Sequence, residues 1–91
     1  MDFNFKDGLI YLGEETNPET YIEYNKFERD GETILNCAHT VVDPSMGGQG
    51  IGSKLAEAFF NYARENGYKV ESTCSFTHKK LIEGDNDDIK A

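Results

Sequence analysis

The chain has 91 residues and a formal net charge of −8 at pH 7. A chain of this length folds as one small domain, which excludes two-domain enzymes and full dinucleotide-binding folds. The acidic balance argues against nucleic acid and anionic membrane surfaces as partners, because proteins that bind them carry basic patches. The sequence has no apolar run of about 18 residues, so we expect no transmembrane helix. Two cysteines and an N-terminus without a signal-peptide pattern indicate a reduced, cytoplasmic protein.

The first half of the sequence predicts β-strands. Leu9–Leu12 is a short apolar run, and residues 20–28 mix Tyr and Ile with polar residues, which is typical of a partly solvated strand. Asp30 and Gly31 predict a hairpin turn, since both tolerate a positive φ. Residues 33–42 are more continuously apolar, as expected of a strand covered on both faces. Because tight turns join these strands, we expect them to be antiparallel.

The second half of the sequence predicts a helix, because its apolar residues take a helical spacing after a cluster of glycines at residues 47–52. Apolar residues then recur on one helix face, and Asn66-Gly67 predicts the end of that helix. Residues 69–76 predict a second inner strand. Residues 77–83 predict a short C-terminal helix.

The order of these elements predicts a mixed α/β fold. A mostly antiparallel sheet would contain one parallel strand–helix–strand unit around the glycine turn. We assign residues 1–83 to a single domain. Residues 84–91 are acidic and predict a flexible tail.

The glycine cluster at residues 47–52 is a candidate phosphate site. Its four glycines let the backbone approach a ligand closely. The helix that follows points unpaired N–H groups and its dipole at the turn, where an anion is favoured. A tight strand-to-helix turn without a ligand is the simpler alternative. The dinucleotide-binding motif G-x-G-x-x-G requires a glycine where this chain has Ser53. The P-loop motif G-x-x-x-x-G-K-[ST] requires lysine before serine, whereas this chain has Ser53 before Lys54.

Four motifs follow one another between residues 39 and 76. They read His39-Thr40-Val41-Val42; Gly47-Gly48-Gln49-Gly50-Ile51-Gly52 followed by Ser53-Lys54-Leu55; Ala63-Arg64 with Lys69; and Cys74-Ser75-Phe76. Their order and spacing are similar to those of a small single-domain branch of the GCN5-related N-acetyltransferase (GNAT) family. The resemblance implies a compact GNAT-like fold, binding of acetyl-CoA or coenzyme A, and transfer of acetyl to an amine.

The resemblance also implies which residues bind the coenzyme. In the family, loop amides before the main helix hold the coenzyme pyrophosphate, and the strands on either side splay apart around pantetheine and the acetyl group. Carried onto this sequence, the resemblance assigns backbone contacts with pantetheine to Val41 and Val42. It assigns the pyrophosphate contacts to the loop residues Gly47, Gly48, Gln49, Gly50, Ile51, Gly52 and Ser53.

Cys74 and His39 are the candidate catalytic residues. The resemblance places Cys74 near the acetyl thioester, where a thiolate could accept acetyl by exchange; a small buried core cysteine is the alternative. His39 is the candidate base, because its ordinary pKa lies near 6.5, and a histidine packed between strand neighbours is the alternative. Two-residue alternation places Cys37 on one strand face with His39 and Val41, and we interpret Cys37 as a core residue. A zinc site built from Cys37, His39 and Cys74 would lack a fourth ligand, so we expect no metal.

Departures from the family pattern leave the function open. Many relatives have a basic residue where this chain has Gly47 and an acid where it has Val41. Many also have a later helix that supplies a tyrosine acid, and we expect no such helix here. One function is an N-acetyltransferase with an unknown amine or protein acceptor. Another is a non-catalytic module that binds acetyl-CoA or CoA and carries acetyl on Cys74, and a ligand-free structural domain is the third. We expect a monomer or weak dimer.

Overall fold

The computed structural model describes residues 3–13, 19–44, 50–84 and 86–91. These residues form a five-stranded sheet in the order β1-β2-β3-β4-β5, with two helices after β4. The elements are β1 (Asn4–Lys6), β2 (Leu9–Leu12), β3 (Thr20–Arg29), β4 (Glu32–Val41), α1 (Ile51–Asn66), β5 (Lys69–Ser72) and α2 (Ser75–Glu83). The predicted α/β fold is confirmed.

The sheet is antiparallel except for its last pair. Successive strands from β1 to β4 pair in antiparallel fashion, whereas β4 and β5 are parallel. The β3–β4 turn places Asp30 at φ 53° and Gly31 at φ 82°, the left-handed backbone that a tight hairpin requires. Because β4 and β5 are parallel, the chain must cross over between them, and α1 makes that crossover.

The core lies between α1 and one face of the sheet. Leu55, Phe59 and Ala63 recur at helical spacing and are fully buried against buried strand residues such as Leu35 and Val70. Burial of such side chains stabilises the fold by about 1.5–3 kcal/mol each. The helix ends where the sequence predicts: Gly67 has φ 72°, and its N–H donates to the Arg64 carbonyl.

The second inner strand is shorter than predicted. Our prediction of a strand over residues 69–76 is wrong for its second half, because β5 ends at Ser72 and α2 begins at Ser75. The Ser72 hydroxyl accepts from the Cys74 N–H at 3.1 Å and lies 2.8 Å from the Cys74 carbonyl. Such local side-chain bonds compete with a strand ladder. Cys74 therefore lies at the N-cap of a helix.

Residues 86–91 contact β5 and α1. Ile89 is buried, and the Val70 N–H donates to its carbonyl. The Ala91 N–H donates to the Val70 carbonyl at 2.9 Å, and Arg64 Nε lies 2.8 Å from a carboxylate oxygen of Asp88. The domain boundary at residue 83 and the mobility of residues 84–91 stay predictions.

Replacing Ile89 with alanine should lower the free energy of unfolding by about 2–4 kcal/mol, because the change leaves a cavity beside Val70. The matched control is Ile82→Ala on α2, whose side chain is 55% exposed and whose loss should cost less than about 0.5 kcal/mol. Urea unfolding of both variants measures the difference. Equal losses would show that Ile89 is not docked in solution.

Candidate functional site

The parallel strands β4 and β5 part at one point. Their last paired residues are Cys37 and Ser72. The Cys37 carbonyl then accepts hydrogen bonds from the Thr73 N–H at 3.0 Å and from the Thr73 hydroxyl at 3.2 Å. β4 continues to Val41, while the chain beyond Ser72 turns away into α2. A cleft opens between the end of β4 and the start of α2.

The cleft has a volume of 730 Å³ and brings both candidate catalytic residues together. His39 and Val41 line it from β4, and Cys74 and Ser75 line it from the other side. Val41 is 39% exposed, so an apolar surface faces the opening. The sequence therefore identified residues of one cleft from segments more than thirty positions apart.

A β-bulge decides which way His39 faces. Glu23 pairs with His39 and Tyr24 with Cys37, so Ala38 has no partner on β3. The extra residue resets the two-residue alternation. Our prediction that Cys37 and His39 share a strand face is therefore wrong: Cys37 is fully buried and His39 is exposed.

The Cys74 thiol is surrounded by hydrogen-bond donors. It is half-buried and precedes the first turn of α2. Burial alone would raise the pKa of this thiol, but hydrogen bonds from the Thr40 hydroxyl and from the backbone of Thr77, Phe76 and Thr40 outweigh it, so the pKa of Cys74 is lowered. The thiolate, which is the nucleophilic form, is therefore more populated at Cys74 than in an ordinary cysteine.

The two cysteines differ sharply in their surroundings. Cys37 lies in the core, where burial raises the pKa of its thiol although hydrogen bonds from Thr40 and Thr77 oppose the rise. Thr40 Oγ1 is 3.4 Å from Cys37 Sγ and 2.7 Å from Thr77 Oγ1. Sequence reasoning missed both threonines as site residues. Thr40 stands beside His39 in its motif, but nothing in the sequence signals its partnership with Thr77.

We expect iodoacetamide to modify Cys74 in the native protein and to leave Cys37 unmodified. Because the Cys74 pKa is lowered, its alkylation rate should reach half its maximum at a lower pH than that of a cysteine in a short unstructured peptide. Peptide mapping by mass spectrometry over a pH series measures both sites. Thr40→Val removes the hydroxyl donor and should move the Cys74 midpoint upward. A wild-type midpoint at or above that of the peptide cysteine would contradict the described environment.

The start of α1 meets the chemical requirements of a phosphate site. Gly50 is the N-cap at φ 69° and ψ 18°, with no side-chain cap and no acidic residue in the first turn. The Gly50 carbonyl accepts from the Lys54 N–H at 3.1 Å, so the N–H groups that precede Lys54 in the first turn have no acceptor within the helix. Ile51 is buried and anchors the turn. This donor set fits the pyrophosphate of coenzyme A.

Gly52 brings the helix start against the cleft. A Cβ atom at Gly52 would lie 2.9 Å from Phe76 Cζ and 3.4 Å from Val42 Cγ2. The absence of a side chain therefore lets α1 approach both α2 and the end of β4. The structure thus brings Val42 beside the described part of the glycine cluster. The loop residues Gly47, Gly48 and Gln49 lie outside the described residues.

The parting of β4 and β5, with an uncapped helix between them, defines the GNAT fold. A family model described as GCN5-related N-acetyl-transferase matches residues 9–88. A GCN5-like protein of Staphylococcus aureus, solved by NMR, is 32% identical with a TM-score of 0.76, over 99% of this chain and 87% of that one. The chain belongs to the GCN5-related N-acetyltransferase family.

Two further structures share the fold. Ribosomal-protein-alanine N-acetyltransferase of Brucella melitensis is 17% identical (TM-score 0.63), over 82% of this chain and 59% of its own. Glucosamine-6-phosphate N-acetyltransferase of Arabidopsis thaliana is 26% identical (TM-score 0.56), over 85% of this chain and 58% of its own. No curated protein sequence matches significantly. Neither described helix is long and apolar enough to cross a membrane.

Proposed function

We propose that the protein binds acetyl-CoA and transfers its acetyl group to an amine or protein acceptor. The observation that carries this proposal is the 730 Å³ cleft where β4 and β5 separate. Gly52, at the start of α1, lies against Val42 and Phe76, which follow the lining residues Val41 and Ser75 in the chain. The cleft supplies space for a thioester and an acceptor. The helix start supplies the local positive potential that an anionic coenzyme needs, in a chain whose net charge is −8.

The exposed edge of β4 suits pantetheine. Beyond Cys37, β4 pairs with β3 through His39, Thr40 and Val41 on one side. Among the described residues, no strand pairs with its other edge there. Pantetheine carries two amides, which can add to such an edge as an extra strand would. Val41 and Val42 would then align pantetheine, and the N–H groups near Gly50 would hold the pyrophosphate.

His39 is the proposed base. It is exposed on the cleft wall, so an incoming amine can reach it. Attack on the acetyl carbon forms a nitrogen–carbon bond while the carbon–sulfur bond breaks. His39 takes the proton that the amine loses, a role that imidazole side chains commonly have in general base catalysis. The departing coenzyme thiolate leaves with the electron pair of the broken bond.

Cys74 supports a second candidate function. Its lowered pKa and its place in the cleft suit thioester exchange, in which Cys74 Sγ bonds to the acetyl carbon as the coenzyme thiolate leaves. The protein would then be a module that carries acetyl on Cys74. This route differs from direct transfer in needing Cys74 itself.

Turnover with acetyl-CoA and a panel of amines and lysine peptides separates the two functions. If transfer is direct, His39→Gln should lower kcat/KM by at least about a hundredfold, and Cys74→Ser should retain most of the activity. Intact-mass measurement then detects no stable acetyl-protein. Acetyl on Cys74 without any acetylated amine would instead support the carrier, and lack of acetyl-CoA binding would overturn both.

A further inference from the structure

The two cysteines of the chain are neighbours where β4 and β5 separate. The Cys37 carbonyl accepts a hydrogen bond from the Cys74 N–H at 3.4 Å. Standard bond lengths and the direction of this hydrogen bond place the two Cα atoms no more than about 7 Å apart, which is the range that a disulfide can span. Cys74 also packs against the buried cluster to which Cys37 belongs. The backbone therefore meets the first requirement for a disulfide.

One hydroxyl group contacts both sulfur atoms. Thr40 Oγ1 lies 3.4 Å from Cys37 Sγ, and the same hydroxyl forms a hydrogen bond with the Cys74 thiol. Burial is the main cause that raises the pKa of Cys37, and the charge of the nearby Cys74 thiolate adds to it. The two side chains therefore converge on Thr40, which is the second requirement for a disulfide.

The two thiols differ in their access to solvent. Cys74 is half-buried and lines the cleft between β4 and β5, so a small oxidant can reach it. The lowered pKa of Cys74 populates the thiolate, which is the form that peroxides oxidise. Cys37 is fully buried, so an oxidant meets Cys74 first. An accessible thiolate beside a second thiol is the usual arrangement of a cysteine that is oxidised reversibly.

We propose that Cys74 is a site of reversible oxidation by hydrogen peroxide and that Cys37 is its resolving cysteine. The Cys74 thiolate attacks one peroxide oxygen, so a sulfur–oxygen bond forms and the oxygen–oxygen bond breaks with release of hydroxide. The Cys37 sulfur then bonds to the Cys74 sulfur. The hydroxyl group of the sulfenic acid leaves with the Cys37 thiol proton as water, and the two sulfurs have together given two electrons to the peroxide.

Oxidation removes the nucleophilic thiolate from the cleft. A Cys37–Cys74 disulfide leaves no sulfur free to accept acetyl, so acetyl transfer to Cys74 stops until a dithiol reduces the bond. Direct transfer to an amine that loses its proton to His39 does not use this thiol. The inference goes beyond the proposed function and needs only the two cysteines. Lack of acetyl-CoA binding would overturn the proposed function and leave this inference standing.

Peptide mapping without reduction tests the inference on wild-type protein. The protein is treated with hydrogen peroxide, denatured with a thiol-blocking reagent and digested with trypsin. We expect peptides 30–54 and 70–79, which contain Cys37 and Cys74, to be joined, and dithiothreitol to separate them. Peptides are mapped because peroxide also oxidises methionine, and Met46 lies in the first peptide. Sulfinic acid on Cys74 beside a free Cys37, a disulfide between two molecules, or no oxidation would each overturn the inference.

Cys37→Ser removes the resolving thiol with little change in side-chain size. Cys74 should then persist as a sulfenic acid, so its labelling by dimedone should rise at least about fivefold over the wild type. Cys74→Ser is the matched control and should leave the buried Cys37 unoxidised. Circular dichroism checks that both variants fold, and the wild-type map decides the question if Cys37→Ser does not. Equal labelling of wild type and Cys37→Ser would show that Cys37 does not resolve Cys74.

Discussion

Replacing Gly50 with alanine is expected to weaken coenzyme A binding at least about tenfold. The residue lies at φ 69°, and no atom of the described residues beyond its chain neighbours lies within 4 Å of the place that a Cβ atom would take. The expected penalty therefore comes from the backbone conformation. A left-handed conformation costs alanine about 1–2 kcal/mol. Relief of that strain would turn the first N–H groups of α1 away from the pyrophosphate, and each lost charge-assisted hydrogen bond is worth about 1.5–3 kcal/mol.

Gly67→Ala is the control for this prediction. Gly67 caps the other end of α1 at φ 72°, and there too a Cβ atom would meet no atom of the described part of the chain within 4 Å. Both variants should lose similar free energies of unfolding, about 1–2 kcal/mol, because both strain the same conformation. Calorimetry should show a loss of affinity for Gly50→Ala alone. Unchanged affinity in Gly50→Ala would mean that the helix start does not bind the coenzyme.

Replacing Phe59 with alanine should have the largest effect on stability. Phe59 is fully buried, and its ring lies 5.4 Å from that of Tyr24 and 6.0 Å from that of Phe60. Its truncation should cost about 3–5 kcal/mol. A domain of this size has a free energy of unfolding of roughly 5–10 kcal/mol, so a large fraction of that stability would be lost in the variant. Urea denaturation followed by circular dichroism measures the loss.

Phe5→Ala removes the same side chain from the surface. Phe5 is 52% exposed and stacks on Tyr62 with ring centroids 5.5 Å apart. Its loss should cost about 1 kcal/mol, the size of an aromatic pair interaction. Equal losses in the two variants would contradict the placement of the core between α1 and the sheet.

Much of the fold could be predicted because local sequence and tertiary structure agree. The apolar period of α1, its end at Gly67 and the Asp30-Gly31 turn are all signals that a short window contains. The same agreement placed the glycine cluster between a strand and a helix. His39 and Cys74 could be identified because their motifs resemble those of the family, and the structure then brings both to one cleft.

The errors arise where distant contacts override local pattern. The strand predicted through Phe76 ends early because the Ser72 hydroxyl bonds to the Cys74 backbone. The bulge at Ala38 moves the His39 side chain to the opposite face of β4. No residue type in that segment predicts a bulge. The Thr40–Thr77 hydrogen bond joins residues 37 positions apart, and the Thr40 hydroxyl also acts on the Cys74 thiol. Contacts between such distant residues can be seen only in the folded structure.

The most direct test of coenzyme binding in the cleft between β4 and β5 is an NMR titration of ¹⁵N-labelled protein with coenzyme A. We predict that the perturbed amides cluster at Val41, Val42, Gly50 and Cys74, on both sides of the cleft and at the helix start. The amide of Gly31, in the distant β3–β4 turn, should not shift. No perturbation, or perturbation centred on the β3–β4 turn, would contradict coenzyme binding at this site.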